Sequence, residues 1–296
     1  MESTPRQRKV LRARMAGPCG VGKGLYGASA MRRGTAYLEG LPAAPARTTG
    51  FFMKKHRTTT ALVTGSTRGI GLAIADAMES RGIHVIRHGT RAEGPASVAA
   101  DLADSAETAR LWDEAREKAG GRIDVLVNNA GVFEASPIDN TDGYWLAEWE
   151  RCLRINLTSA AQLSRLAVRQ WLKDSVEPVA GRLVNIASRA AYRGDSPDHW
   201  HYAAAKAGEV AMTKTIARAY ARQGILAFAI CPGFTDSSMA GDYLASRGGP
   251  GLLADIPLGR VAEPAEIAAI AAFCATDAPA SMTGAVLDAN GASYVR

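Results

Sequence analysis

In the stretch His201–Gly208, HYAAAKAG, Tyr202 stands four residues before Lys206. On a helix that spacing sets both side chains on one face, a turn apart, within reach of a common ligand. An ammonium beside a phenol stabilises the phenolate, so the Tyr202 pKa is expected to fall from about 10 toward the working pH. Tyr202 is therefore a candidate general acid and base for proton exchange with an alcohol or carbonyl. The pair alone is a weak signal, and its weight depends on what else reaches the same place. Ser188 follows the apolar run RLVNIA, fourteen residues before Tyr202. It reads either as a simple cap or as a hydrogen-bond donor to a substrate carbonyl, provided the intervening loop folds back. No G-x-S-x-G elbow surrounds it, which excludes a hydrolase nucleophile of that type. Asn156, in RINLTSA, sits in a helical pattern that an Asn disfavours, so it is expected to have a specific partner.

The elements that must position these groups are legible as alternating strands and helices. Ala61–Val63, His84–Arg87, Ser97–Leu102, Ile123–Val127, Arg182–Ala187, Ile225–Ile230 and Ala285–Leu287 read as short apolar strands. Near-continuous apolar runs suit parallel strands buried on both faces. Helical periods cover the Ala-rich stretch to about Arg81, Ser105–Ala119, Tyr144–Trp171, the Tyr202 helix and Pro264–Thr276. Trp145, Trp149, Leu153 and Leu157 recur at four-residue steps, a stripe for the core or a subunit interface. Residues 234–256, rich in Gly, Ser and Asp, read as a mobile lid.

The first strand ends in Thr64-Gly65 and runs through STRGIG into a helix. Gly65, Gly69 and Gly71 allow a tight turn, close approach to a pyrophosphate and close helix–strand packing, and the helix N-terminus offers N–H groups to the phosphates. At the end of the second strand an NAD site would place a carboxylate for the ribose 2′-hydroxyl. The chain has His88-Gly89-Thr90-Arg91 there, with Arg68 inside the glycine turn. Two guanidinium groups and no opposing carboxylate suit a 2′-phosphate, so the expected cofactor is NADP(H). Asp101 and Leu102 are placed to face the adenine. Asn129-Ala130-Gly131 lie at the carboxyl end of the fourth strand, where ligands sit in open α/β sheets. Cys231-Pro232-Gly233 close the sixth.

Composition sets the remaining bounds. The 296 residues carry a formal charge of +6, but the charge is uneven. Residues 1–57 hold twelve Lys or Arg against Glu2 and Glu39, leaving 23 basic and 27 acidic residues beyond. The folded part is thus mildly acidic, and no nucleic-acid partner is expected. Four scattered cysteines without a C-x-x-C argue against a disulfide framework or zinc site and for a reducing compartment. His199 and His201 lack a clear third ligand, so no metal is expected. No apolar run is long enough to span a membrane. Residues 1–57 read as a disordered basic leader: a transit peptide, an arm for an acidic partner or, the reading preferred, residues preceding a true start at Met53. GPCGVGKG (17–24) imitates a P-loop, but Gly24 replaces the magnesium-binding Ser or Thr. The expected location is cytoplasmic, or organellar if the leader is a transit peptide.

Together TGSTRGIG (64–71), NNAG (128–131), Asn156, Ser188, YAAAK (202–206) and PG (232–233) stand in the order and spacing of a family. Over residues 59–296 the chain resembles the short-chain dehydrogenase/reductases. IPLGRVAEPAEIA and TGAVLDANG are similar to the 3-oxoacyl-(acyl-carrier-protein) reductases and their relatives on sugars and polyols. The resemblance implies a Rossmann-type, doubly wound α/β sheet of about seven parallel strands in one domain over 58–296, and a homotetramer. It implies a cofactor site at Gly65, Thr67, Arg68, Gly69, Ile70, Gly71, Arg91, Asp101, Leu102, Asn129, Ala130, Gly131, Pro232 and Gly233, with Tyr202 and Lys206. Ser237 stands where relatives often have a Thr near the nicotinamide carboxamide. It implies that Tyr202 gives its proton to the carbonyl, Lys206 lowers the Tyr202 pKa and holds the ribose, Ser188 binds the carbonyl, and Asn156 positions a water for proton return. The expected substrate is a small carbonyl or alcohol, first a 3-oxoacyl thioester on acyl carrier or CoA to be reduced, with an alcohol, sugar or polyol dehydrogenase on a small polar substrate as the alternative. The charged 190–201 loop counts against a long acyl chain.

Overall fold

The computed structural model describes residues 58–174, 178–236 and 249–296. The leader, the P-loop imitation, the Met53 start, Ser237 and most of the expected lid lie outside the described residues.

Seven parallel strands form one sheet: β1 (Thr60–Val63), β2 (His84–Gly89), β3 (Ser97–Ala99), β4 (Val125–Asn128), β5 (Gly181–Ile186), β6 (Ile225–Pro232) and β7 (Val286–Ala289). Their order is β3-β2-β1-β4-β5-β6-β7. The chain winds outward from β1 in one direction and from β4 in the other, so the strand order reverses between them. In such a sheet the crevice at the carboxyl ends beside that reversal is where ligands bind.

Side-chain alternation divides each strand between two cores. Ala61, Val63, Val127, Val184 and Phe228 face α1 (Gly69–Glu79) and a helix at Pro264–Thr276. Leu62, Leu126, Leu183 and Ala227 face α2 (Ser105–Lys118) and α4 (Ser159–Asp174). Both faces are covered, which is why the strands read as unbroken apolar runs. Sequence also set helix ends: Asp104 Oδ1 accepts the N–H groups of Ala106 (2.6 Å) and Glu107 (3.3 Å), capping α2. Glu263 and Glu266 form a capping box ahead of the Pro264–Thr276 helix.

The long helical stretch differs from its expected form. It consists of α3 (Asp142–Leu153), a π-turn at Arg154–Thr158, and α4. The tryptophan stripe is not core: Trp145 and Trp149 are half-buried and stacked at 5.3 Å between ring centroids, and Cys152 is the buried residue of α3. After β5 come the short α5 (Ala190–Arg193) and the long α6 (Trp200–Tyr220), which carries Tyr202 and Lys206. The last two helices are α7 (Gly249–Ala254) and α8 (Pro264–Thr276). No helix among the described residues is long and apolar enough to cross a membrane.

Candidate active site

A cavity of about 540 Å³ opens at the carboxyl ends of the strands. One wall is the glycine turn after β1. Gly65 adopts φ +63°, a left-handed conformation, and a Cβ on Gly71 would lie 2.1 Å from the Gly65 carbonyl oxygen. The turn is tied to the segment after β4: Asn129 Nδ2 donates to the carbonyls of Thr64 (2.9 Å) and Gly65 (3.1 Å), while Thr64 Oγ1 accepts the N–H groups of Asn129 (2.9 Å) and Ala130 (3.0 Å). Two distant sequence motifs thus form one polar rim.

His88, at the end of β2, supports the same turn from behind. Its Nδ1 accepts the Gly65 N–H at 3.0 Å, and its Nε2 lies 3.2 Å from the Ala100 carbonyl. That pairing requires the neutral ring protonated on Nε2. Burial holds the His88 pKa below 6.5, against a smaller raising effect of the Ala100 carbonyl. The unfolded chain therefore binds this proton more readily, and the His88 contribution to stability is present above about pH 6.5 and lost as the pH falls. His88→Gln can keep both hydrogen bonds without titrating. The fall in melting temperature between pH 7 and 5 is expected to be shallower in that variant than in the wild type.

The opposite wall carries the groups proposed for chemistry. Ser188 follows β5, and Tyr202 and Lys206 come from the first two turns of α6. The loop between them folds back, and the Ser188 hydroxyl hydrogen-bonds the Tyr202 phenol. Ser188 Oγ also accepts the Ala190 N–H at 3.1 Å, as the cap reading expects. Phe133 stacks on His199 at 3.8 Å and meets the Tyr202 ring edge-on at 4.8 Å. Lys206 is 3% exposed, with Nζ 5.9 Å from the Tyr202 ring centroid. Nζ donates to the Ile186 carbonyl (2.9 Å) and to Glu209 Oε2 (2.8 Å).

The expectation for the Tyr202 pKa needs correction. Burial raises it above 10, and the opposing pull of Lys206 and the Ser188 hydrogen bond does not offset this. The Lys206 charge is shared with Glu209, so the phenol receives less of it than the bare four-residue spacing implies. Burial also tends to lower Lys206, but Glu209 and Tyr202 outweigh it and the ammonium is held more firmly than usual.

Of the residues named from sequence, Gly65, Thr67, Arg68, Gly69, Ile70, Gly71, Asp101, Leu102, Asn129, Ala130, Gly131, Ser188, Tyr202, Lys206, Pro232 and Gly233 all line the cavity. Arg91 does not; its side chain is exposed, and it is the main chain that approaches Gly89. Asn156 also lies outside the lining, 1% exposed within the π-turn. Its expected specific partner is the Val132 peptide: Oδ1 accepts the Val132 N–H at 2.8 Å and Nδ2 donates to the Val132 carbonyl at 2.9 Å. A π-turn at such a point re-aims one residue without ending the helix. Sequence reasoning passed over Phe133, Arg151, Arg189 and Phe234, which form the wall beyond Ser188, and Glu209 behind Lys206. The Arg189 guanidinium lies over the Phe234 ring at 4.5 Å.

A family model described as enoyl-(acyl carrier protein) reductase matches residues 65–291. The chain is 35% identical over 245 residues to a 3-oxoacyl-(acyl-carrier-protein) reductase of Haemophilus influenzae, covering 79% of this chain and 98% of that one. It is 33% identical to the enzyme of that name from Escherichia coli, over 79% and 97% of the two chains. Among solved structures, a chain from Beutenbergia cavernae assigned as an NAD(P)-dependent gluconate 5-dehydrogenase, with NADP at low occupancy, matches with a TM-score of 0.70 and 33% identity, over 79% of this chain and 95% of that one. One from Agrobacterium tumefaciens assigned as a 2-deoxy-D-gluconate 3-dehydrogenase, also with NADP, matches at 0.71 and 26% identity, over 80% and 97%. With the strand order, the glycine turn and the Ser188–Tyr202–Lys206 wall, these matches establish that the chain belongs to the short-chain dehydrogenase/reductase family of oxidoreductases.

Proposed function

We propose that the protein is an NADPH-dependent carbonyl reductase whose first substrate class is a 3-oxoacyl thioester. The observation that carries this reading is the pairing of the glycine-turn wall with Ser188, Tyr202 and Lys206 across one cavity. Gly65, at φ +63°, and Gly71, with no room for a Cβ, hold the turn tight against Asn129 and Ala130, and the N-terminus of α1 favours the charge of a pyrophosphate. Arg68 lines the same wall with no carboxylate at the end of β2, which favours a 2′-phosphate over a free hydroxyl. NADPH, when bound, supplies the hydride. Lys206 would hold the nicotinamide ribose, and Pro232, Gly233 and the Ser237 segment the nicotinamide end. Ser188 donates a hydrogen bond to the substrate carbonyl, and Tyr202 gives that oxygen its proton. A phenol kept protonated by burial suits that direction. Asn156 fixes the Val132 peptide, and its proposed role is to position a water that links Lys206 to solvent for proton return.

Arg68→Ala is expected to weaken NADPH binding by about tenfold or more, the scale of a lost hydrogen bond to a charged group, and to leave NADH binding nearly unchanged. Equilibrium titration of both cofactors checks this.

The relatives named for 3-oxoacyl reduction support the thioester class. A second reading, oxidation of a small polar hydroxy acid or sugar acid, is favoured by Arg151, Arg189 and Asp195 along the substrate wall and by the gluconate dehydrogenase structures. Rates with a 3-oxobutanoyl thioester and NADPH, set beside rates with gluconate and NADP+, separate the two. We also propose a homotetramer in the cytoplasm, for which light scattering on the purified chain gives the assembly.

A further inference from the structure

Glu209 is one turn beyond Lys206 on α6 and is 1% exposed, yet the reaction scheme gives it no task. A carboxylate is seldom sealed in a core without a compensating reason, because losing its hydration is costly. Its Oε2 accepts from Lys206 Nζ at 2.8 Å, and the Ile186 carbonyl takes a second ammonium proton at 2.9 Å. An ammonium has three donors, so one remains for the cavity side, where the Tyr202 ring lies.

We propose that Glu209 is the positioning residue of this site: it fixes Lys206 Nζ in place and, by cancelling part of its charge, keeps the Tyr202 phenol a proton donor. The proposal rests on the reading of Tyr202 and Lys206 given above. Burial pushes the Glu209 carboxyl above the usual carboxylate range, against the pull of Lys206. While Glu209 is ionised the Glu209–Lys206 pair is nearly neutral toward Tyr202; without that negative charge, Lys206 stands uncompensated and draws the phenol toward ionisation. Asp195, from the loop before α6, acts on the phenol in the same sense as Glu209. The thiols of Cys152 on α3 and Cys231 on β6 lie within electrostatic reach of Lys206. Burial raises both, Cys231 to about 11, which favours their neutral thiols.

The test is a tyrosinate absorbance titration of the full chain without cofactor or substrate, taking the difference between a protein and its Tyr202→Phe counterpart to isolate one phenol. In Glu209→Gln the Tyr202 titration is expected to move down by about one pH unit relative to wild type. Glu209→Met, equally neutral and of similar reach, is expected to move it in the same direction, and is read alone if the Gln variant does not fold. Glu209→Asp, which keeps the charge, should restore most of the wild-type value. In turnover, the alkaline limb of carbonyl reduction should move down with the phenol, while KM for the ketone changes little. An unmoved or raised Tyr202 titration in the neutral variants overturns the proposal. Failure of turnover in the wild type would count against the proposed function alone, because the titration needs neither substrate nor cofactor.

Discussion

Replacing Tyr202 with Phe should lower kcat for carbonyl reduction by about a hundredfold to ten-thousandfold, the usual span for a lost general acid, while NADPH binds with near wild-type affinity. The substitution removes one oxygen atom. Phe133 still meets the ring edge-on, and the glycine-turn wall is untouched. Ser188 keeps its bond from the Ala190 N–H, so the segment after β5 should not shift. Loss of kcat with retained affinity therefore assigns the effect to the proton, and steady-state rates with a cofactor titration measure both. A variant that turns over at the wild-type rate would leave Tyr202 without its proposed role.

Gly71→Ala should be the most damaging conservative change in the cofactor wall. The added Cβ would lie 2.1 Å from the Gly65 carbonyl oxygen and 2.4 Å from Asn129 Nδ2. Both are fixed: Asn129 Nδ2 is already bonded to the Thr64 and Gly65 carbonyls. The turn must open or α1 must retreat from β1, a strain of about 1–3 kcal/mol. For a chain of this size that corresponds to a drop of about 2–12 °C in melting temperature. NADPH affinity should fall by about tenfold or more, since the turn and the α1 N-terminus move apart. Gly143→Ala on α3, where a Cβ meets nothing within 4 Å, serves as the control and should be neutral or slightly stabilising. Equal losses in both variants would show that the damage at Gly71 is ordinary helix substitution.

Much of this was visible in the sequence because the determinants are local. Apolar runs such as ILAFAI mark a strand buried on both faces, and β6 extends two residues further, to Pro232. Pro264–Thr276 emerged with the expected bounds because Pro at its first turn and the Glu263–Glu266 box define its start. The cofactor motifs were legible since a glycine turn between strand and helix has few other uses. What escaped depended on contacts across the fold. The π-turn at Asn156 is invisible to periodicity, because one extra residue per turn leaves the apolar pattern nearly intact. Of the two readings of the Trp145 and Trp149 stripe, core or subunit interface, core does not hold: the rings are half-buried and stacked on each other. Arg91 was placed by its position after β2, yet its side chain is exposed and outside the cavity lining, while Arg68 lines the cavity beside the glycine turn. The direction of the Tyr202 shift failed for a related reason. Spacing reveals Lys206 but neither the burial of the phenol nor Glu209 on the far side of the ammonium.

The central claim is that this cavity reduces a carbonyl with hydride from NADPH. It is tested most directly by the initial rate of NADPH oxidation with a 3-oxobutanoyl thioester, with NADH run in parallel on the same protein. Turnover that is clearly faster with NADPH, and that disappears in Tyr202→Phe, is the expected result. No turnover with either the thioester or gluconate and NADP+, in a protein that binds NADPH tightly, would contradict the claim.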